Sequence, residues 1–244
     1  MATAAVFETP DIETSSPNYA SRFRGRAGAY MLKVQERSVL RLLADGRPPA
    51  GRTVLDVGGG HAQLAGPIAG LGCAVTVIGS DESCAVQLHN LPHPENINFT
   101  VGNLLDMPFA DRAFDTLVSV RLISHIENWP RLVAELCRVA DKSIIIDYPT
   151  YRSLNALSLL AFPVKKAIEK NTRTYTTFWN GAIRHAFARH GFRPVATRAQ
   201  FVMPMALHRA SKGALKPIEE GLRAIGMTRL VGNPVIVRLD RVRD

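Results

Sequence analysis

Val54-Leu55-Asp56-Val57-Gly58-Gly59-Gly60-His61-Ala62 is the stretch whose reading decides the fold. A short apolar run, Thr53 to Val57, ends in three glycines, and residues 62–71 then take up a helical pattern closed by Gly72. That succession is a buried strand turning into a helix. Glycine lets the backbone approach a ligand closely and take positive φ at little steric cost. In open α/β sheets such a turn lies at the carboxyl ends of the strands, where ligands bind. Gly58 and Gly60 fit the first two positions of a dinucleotide loop, but Gln63 stands at the third, and no Gly-Lys-Ser/Thr follows as a phosphate loop needs. The carboxylate of Asp56 repels phosphate and welcomes a cation such as the ammonium of an amino-acid moiety.

Outward from the turn, apolar runs alternate with helical segments. Residues 74–78, 97–101, 114–120 and 143–146 read as strands, and 83–91 and 129–140 as helices, the latter with Pro130 in its first turn. Residues 194–201 and 234–239 supply two more strands, with helices at 180–190 and about 206–225. The alternation predicts parallel βαβ units in a doubly wound α/β sheet. Residues 1–18, rich in Ala, Thr, Ser and Pro, read as a mobile tail, and 19–244 as a single domain. Within it, residues 19–50 form an N-terminal helical cap stopped by Gly46, Pro48 and Pro49. Residues 148–180 hold no clear strand, and an insertion of that length is expected to be a substrate lid after the fifth strand.

The Asp-x-Gly-x-Gly of Asp56 to Gly60 resembles the first motif of class I S-adenosylmethionine-dependent methyltransferases, in the type-11, ubiquinone/menaquinone-biosynthesis-like group. Val77-Ile78-Gly79-Ser80-Asp81 is similar to the end of that family's second strand. Gly102-Asn103-Leu104-Leu105-Asp106-Met107-Pro108-Phe109 resembles its Gly-Asp-Ala-x-x-Leu-Pro-Phe segment, and Phe114-Asp115 its Phe-Asp-x-Val signature. These matches fall in order across about residues 50–147. The resemblance implies a Rossmann-like, seven-stranded, mostly parallel sheet with helices on both faces, and S-adenosyl-L-methionine as cofactor. It implies that Asp56, Gly58, Gly59 and Gly60 receive the methionine part, that Asp81, followed by Glu82, holds the ribose hydroxyls, and that Asn103 and Leu104 read the adenine edge. Tyr19 and Arg22 of the cap, and Arg121 after the fourth strand, complete the cofactor set. The sequence departs from the family at Ala62, at Asn103 and at Ala140-Asp141-Lys142, which replaces a Lys-Pro-Gly-Gly turn. Asp81 also suits a helix cap and Asn103 a turn, while Asp115 reads as a brace for backbone amides.

A sulfonium methyl is already activated, so its transfer is an in-line displacement governed by proximity. A base is required only where the acceptor must lose a proton. His125, after the fourth strand, is the candidate base, with Tyr148 beside the fifth strand as a second candidate. Tyr151, Phe162, Trp179 and His208 are expected to line the acceptor site. The lid's apolar run, Leu154 to Val164, is followed by Lys165 and Lys166, a pattern that suits covering an apolar acceptor, peripheral membrane contact, or packing on its own domain.

Several classes are disfavoured. The site after the fourth strand carries neither the Asn/Asp-Pro-Pro-Tyr of base-amine enzymes nor a Pro-Cys nucleophile, and no metal-ligand cluster stands out. Cys73, Cys84 and Cys137 form no CxxC pair, against a disulfide framework or structural zinc. The net charge of +9 favours negatively charged partners, but the basic residues are scattered, which makes nucleic acid an unlikely partner. No apolar run approaches the ~20 residues of a membrane span, and the start lacks a secretion signal, so a cytoplasmic location is expected, with membrane-peripheral contact kept open. The expected function is methyl transfer to an O or N nucleophile of a small or lipid-like biosynthetic or specialised metabolite. A catalytically silent methyltransferase-fold binding subunit, an RNA methyltransferase and, last, a nicotinamide dehydrogenase remain as alternatives.

Overall fold

The computed structural model describes residues 7–46, 48–88, 91–153 and 175–242. Seven strands form one sheet: β1 Thr53–Val57, β2 Ala74–Gly79, β3 Ile97–Val101, β4 Phe114–Ser119, β5 Ala140–Tyr148, β6 Phe192–Phe201 and β7 Asn233–Arg241, in the order β3-β2-β1-β4-β5-β7-β6. The first five pair in parallel, and β7 runs antiparallel to both β5 and β6. Strand order reverses between β2-β1 and β4, the switch point at which such sheets bind ligands.

Strand alternation divides the core into two layers. Leu55, Val57, Ile144 and Ile146 pack with Leu132, Leu136 and Phe187 on one face. Val54, Val75, Val77 and Ile145 pack with Leu42, Leu43 and Ile68 on the other. The first layer is closed by α5 Trp129–Val139 and α6 Asn180–Ala188, the second by α3 Gly25–Ala44 and α4 Ala65–Ala69. The central strands are therefore covered on both sides, as their unbroken apolar runs require.

Two short helices precede α3 where the sequence suggested an unstructured tail: α1 Pro10–Thr14 and α2 Pro17–Ser21, each opened by a proline. Asp11 and Thr14 are buried, so this segment is held by tertiary contacts that composition does not reveal. The helix read over residues 83–91 is a 3₁₀ turn, Glu82–Ala85, capped by Asp81. The stretch expected as one helix over 206–225 divides into α7 Met205–Ala210 and α8 Lys216–Ala224, followed by α9 Met227–Val231. Most of the expected lid, residues 154–174 with Phe162 and the Leu154-to-Lys166 run, lies outside the described residues. No described helix is long and apolar enough to cross a membrane.

Candidate functional site

The turn after β1 is built by its glycines. Gly58 has φ of 71°, and its N–H donates to Ile78 O at 2.9 Å, tying β1 to β2. A Cβ on Gly59 would stand 2.3 Å from the carboxylate carbon of Asp56, so only glycine lets the chain fold over that group. Asp56 is buried, and desolvation pushes its pKa up to about 7 against the opposing field of Arg121. A carboxylate in this state ionises readily once a cation is placed beside it.

At the end of β2, Asp81 is exposed, and hydrogen bonds from the Ser83 side chain and from Ser83 N, which donates to Oδ1 at 2.9 Å, lower its pKa. Glu82 follows, exposed in the 3₁₀ turn. At the end of β3, Asn103 Oδ1 accepts from Leu105 N at 2.9 Å, so its side chain braces the turn, and Leu104 is fully buried. Asp115 accepts from Thr53 N and Oγ1 and pairs with Lys142, a brace as its sequence position suggested.

Beyond β4 stands Arg121, with φ of 60° and its N–H donating to Asp147 Oδ1 at 2.6 Å. Its guanidinium lies 5.0 Å from the Phe23 ring and 5.9 Å from that of Tyr19, a cation–π arrangement. Burial works against its charge, which the Tyr19, Asp147 and Asp56 fields support. Nη1 is buried and finds no hydrogen-bond partner among the described residues. The same holds for Gln63 Oε1 and for both ring nitrogens of His61, whose pKa burial pushes down to about 4, Arg121 adding to the effect. His61 meets Tyr19 and Phe23 edge-on at 5.9 and 5.7 Å. Asp147, at the end of β5, takes Gln35 Nε2 at 2.9 Å on its other oxygen, and burial pushes its pKa up to about 6.

Arg121 is shared by two hollows. A small one touches Asp56, Gly58, Gly59, His61 and Gln63. A larger cavity of about 560 Å³ extends from Arg121 past His125, Asp147 and Tyr175 to Phe201 and Met205. Tyr19 and Arg22 line this larger cavity, not the glycine pocket. His125 also lines it, its ring 5.6 Å from that of Tyr175.

The N-terminal segment crosses the carboxyl ends of the strands. Glu8 accepts from the N–H groups of Glu127 and Asn128 at 2.7 and 2.9 Å, ahead of α5. Asp11 accepts from Ser80 N at 2.7 Å and from Ser80 Oγ at 2.6 Å, between β1 and the Asp81 turn. Ser15 Oγ lies 2.3 Å from where a Cβ on Gly60 would be. The space that Gly60 leaves is thus taken, in this conformation, by Ser15 at the end of α1, and Asp11 approaches the space beside Gly58.

The remaining expected residues lie apart from the cavity wall. Tyr148 is buried against Phe178, ring centroids 6.2 Å apart, and burial pushes its pKa up to about 12. Tyr151 and Trp179 are exposed and lie ring to ring at 5.0 Å. His208 is fully buried, its Nε2 3.2 Å from Glu219 Oε2, and Glu219 also accepts from Val202 N and Met203 N, so the pair pins α7 and α8 to the end of β6. Among the described residues no cluster of potential metal ligands is present. Sequence reasoning missed Asp147, His61, Gln35 and Asp11. Asp147 carried a readable signal, a carboxylate closing an apolar strand as Asp56 does.

Comparison with known proteins agrees with this fold. The family model described as "Methyltransferase domain" matches residues 55–143. Two curated relatives are from Rauvolfia serpentina. Ajmaline N-methyltransferase is 29% identical over 85 residues, 34% of this chain and 29% of that protein. Norajmaline N-methyltransferase is 25% identical over 127 residues, 49% of this chain and 43% of that protein. The matched stretch thus spans less than half the length of either. Among solved structures, magnesium protoporphyrin IX methyltransferase from Synechocystis, with bound SAH, superposes with a TM-score of 0.63 at 17% identity, over 94% of this chain and 97% of that one. A Haloferax volcanii methyltransferase-activator complex gives 0.64 at 13% identity, over 98% and 100%. Residues 55–143 thus match a methyltransferase domain, and the fold is the class I fold of S-adenosylmethionine-dependent methyltransferases.

Proposed function

We propose that the protein transfers a methyl group from S-adenosylmethionine to an O or N nucleophile of a small acceptor bound in the 560 Å³ cavity. The observation that carries this reading is the buried Asp56 carboxylate folded under the glycine turn, with Asp81 at the next strand end. The chemistry of the site fits that cofactor. Asp56 suits its ammonium, Asp81 a ribose diol, and the buried, unpartnered atoms of His61, Gln63 and Arg121 are of the kind that a polar ligand completes. Asn103 and Leu104 border the position of an adenine edge.

When bound, the cofactor would supply an electrophilic methyl carbon on sulfur, and in-line attack on that carbon by the acceptor would break the carbon–sulfur bond and release the neutral thioether. The protein's own part is placement. Arg121 divides the glycine pocket from the acceptor cavity, and Tyr19 and Phe23 pack over its guanidinium. Water is thereby kept from the passage between the two hollows. His125, in the cavity wall, takes the proton when the acceptor has one to lose. Because α1 and α2 lie on the turn, admission of the cofactor requires them to withdraw, breaking the Asp11–Ser80 contacts.

Those same contacts favour a second reading, a methyltransferase-fold subunit that binds partners and no cofactor. Isothermal titration with S-adenosylhomocysteine separates the two. Micromolar binding, weakened about ten- to a hundredfold in D81A, supports the enzyme; no binding at millimolar concentration supports the silent subunit and overturns the proposal.

A further inference from the structure

The acceptor cavity is lined by both apolar and cationic side chains. Phe23, Met31, Phe201, Met203 and Met205 supply apolar wall, and methionine adapts its shape to flat guests. Against them stand Arg22, Arg121 and Arg209, all three close enough to act electrostatically on the Tyr19 phenol. Asp147 is the only carboxylate in the lining among the described residues. Its oxygens are already engaged, Oδ1 by Arg121 N at 2.6 Å and Oδ2 by Gln35 Nε2 at 2.9 Å. Arg22 lies 5.2 Å from the Tyr19 ring and has no carboxylate partner among the described residues. Arg209 Nη2 donates only to Met205 Sδ, at 3.0 Å, a weak acceptor. Two exposed guanidinium groups in the cavity lining are thus left with unused donors.

Guanidinium forks match the oxygens of carboxylate and phosphate and pair poorly with neutral amides. An ammonium entering beside three like charges is repelled. Resting on the methyltransferase reading, we infer that the acceptor carries an oxyanion, carboxylate or phosphate, on a flat apolar body. Arg22 and Arg209 receive the oxyanion, and Phe201, Met203 and Met205 receive the body. The site selects against free amines that are protonated at neutral pH, so an N nucleophile there is of low basicity or belongs to a molecule that also carries the anion.

Four probes of one shape test this by isothermal titration into the full chain at low salt: 1-naphthoate, 1-naphthyl phosphate, 1-naphthamide and 1-naphthylmethylammonium. The expected result is that at least one anion binds about tenfold or more tighter than the amide, with the ammonium weakest. The tighter of the two anions identifies which oxyanion the site is built for. R22A/R209A is expected to bring anions and amide to within about threefold of each other. Arg22 and Arg209 are both exposed, and the single variants R22A and R209A stand in should the double variant fold poorly. Equal affinity for amide and anions, an anion preference that survives in these variants, or no binding of any probe at millimolar concentration would overturn the inference. Titration with S-adenosylhomocysteine in the same preparation keeps the two readings apart. Cofactor binding without anion preference sinks this inference alone; anion preference without cofactor binding sinks the methyltransferase reading and leaves Arg22 and Arg209 an anion site whose ligand is not a methyl acceptor.

Discussion

Asp81 and Asp56 are carboxylates at adjacent strand ends whose surroundings give them opposite character. Asp81 is exposed, and hydrogen bonds from the Ser83 side chain and backbone N–H favour its ionised form. Its contribution to the cofactor is direct hydrogen bonding to a diol, and D81A is expected to weaken S-adenosylhomocysteine binding about ten- to a hundredfold by titration calorimetry. Unchanged affinity would remove Asp81 from the site. Asp56 has its pKa pushed up to about 7, so near neutrality it is only part ionised. A cationic ammonium binds the ionised form, and affinity is expected to fall as pH drops from 8 to 6, approaching tenfold per unit at the low end. In D56N that pH dependence should flatten and overall affinity should drop. At this scale the sequence was informative because each residue's chemistry is stated by its type and strand position. Asn103 shows the limit: its type allowed adenine reading or turn bracing, and only the bond from Leu105 N shows that it braces.

Among the elements, the strands were the legible part. Short apolar, β-branched runs mark β1 to β5, and Thr53–Val57 and Ile97–Val101 keep the bounds their residues suggested. The first helices were not legible, because local bonds alone do not hold them: α1 and α2 span five residues each, too short to be stable alone, and depend on Glu8 and Asp11 reaching distant backbone and on Gln87 Nε2 donating to Ser15 O. His208 was misjudged for a related reason, since its role comes from Glu219, eleven positions away and buried with it. The dependence of α1 on Asp11 makes a prediction. D11A removes a buried, charge-assisted pair of bonds to Ser80 and should destabilise the cofactor-free protein by about 1–3 kcal/mol in urea melts. The same substitution frees the glycine turn, so S-adenosylhomocysteine should bind several-fold more tightly and faster by stopped-flow fluorescence. Weaker binding in D11A would mean that the segment supports the ligand instead of competing with it.

Across the whole molecule, the cluster around Arg121 leaves a signature in how stability depends on pH. Asp56 and Asp147, raised to about 7 and about 6 by burial, bind protons in the folded state that the unfolded chain has already released. Each therefore makes stability fall as pH rises, from about 4 up to its own folded value, by at most about 1.4 kcal/mol per unit. His61, lowered to about 4, acts in the opposite direction between about 4 and its unfolded value of 6.5, where the unfolded chain holds the extra proton. Asp115 and Glu135, both lowered, lose their contributions only below the ordinary carboxylate range. From pH 4.5 to 6 two falling contributions oppose one rising one, and stability should decline gently; from about 6.5 to 7 Asp56 acts alone. Urea melts across pH 4.5–8 are expected to show this decline ending near pH 7. H61N should steepen it below pH 6.5, because the rising contribution is gone, and D56N should abolish the portion above 6.5. A wild-type curve that rises throughout would mean that Asp56 and Asp147 are ionised in the folded protein, with Arg121 paired to them more strongly than burial opposes.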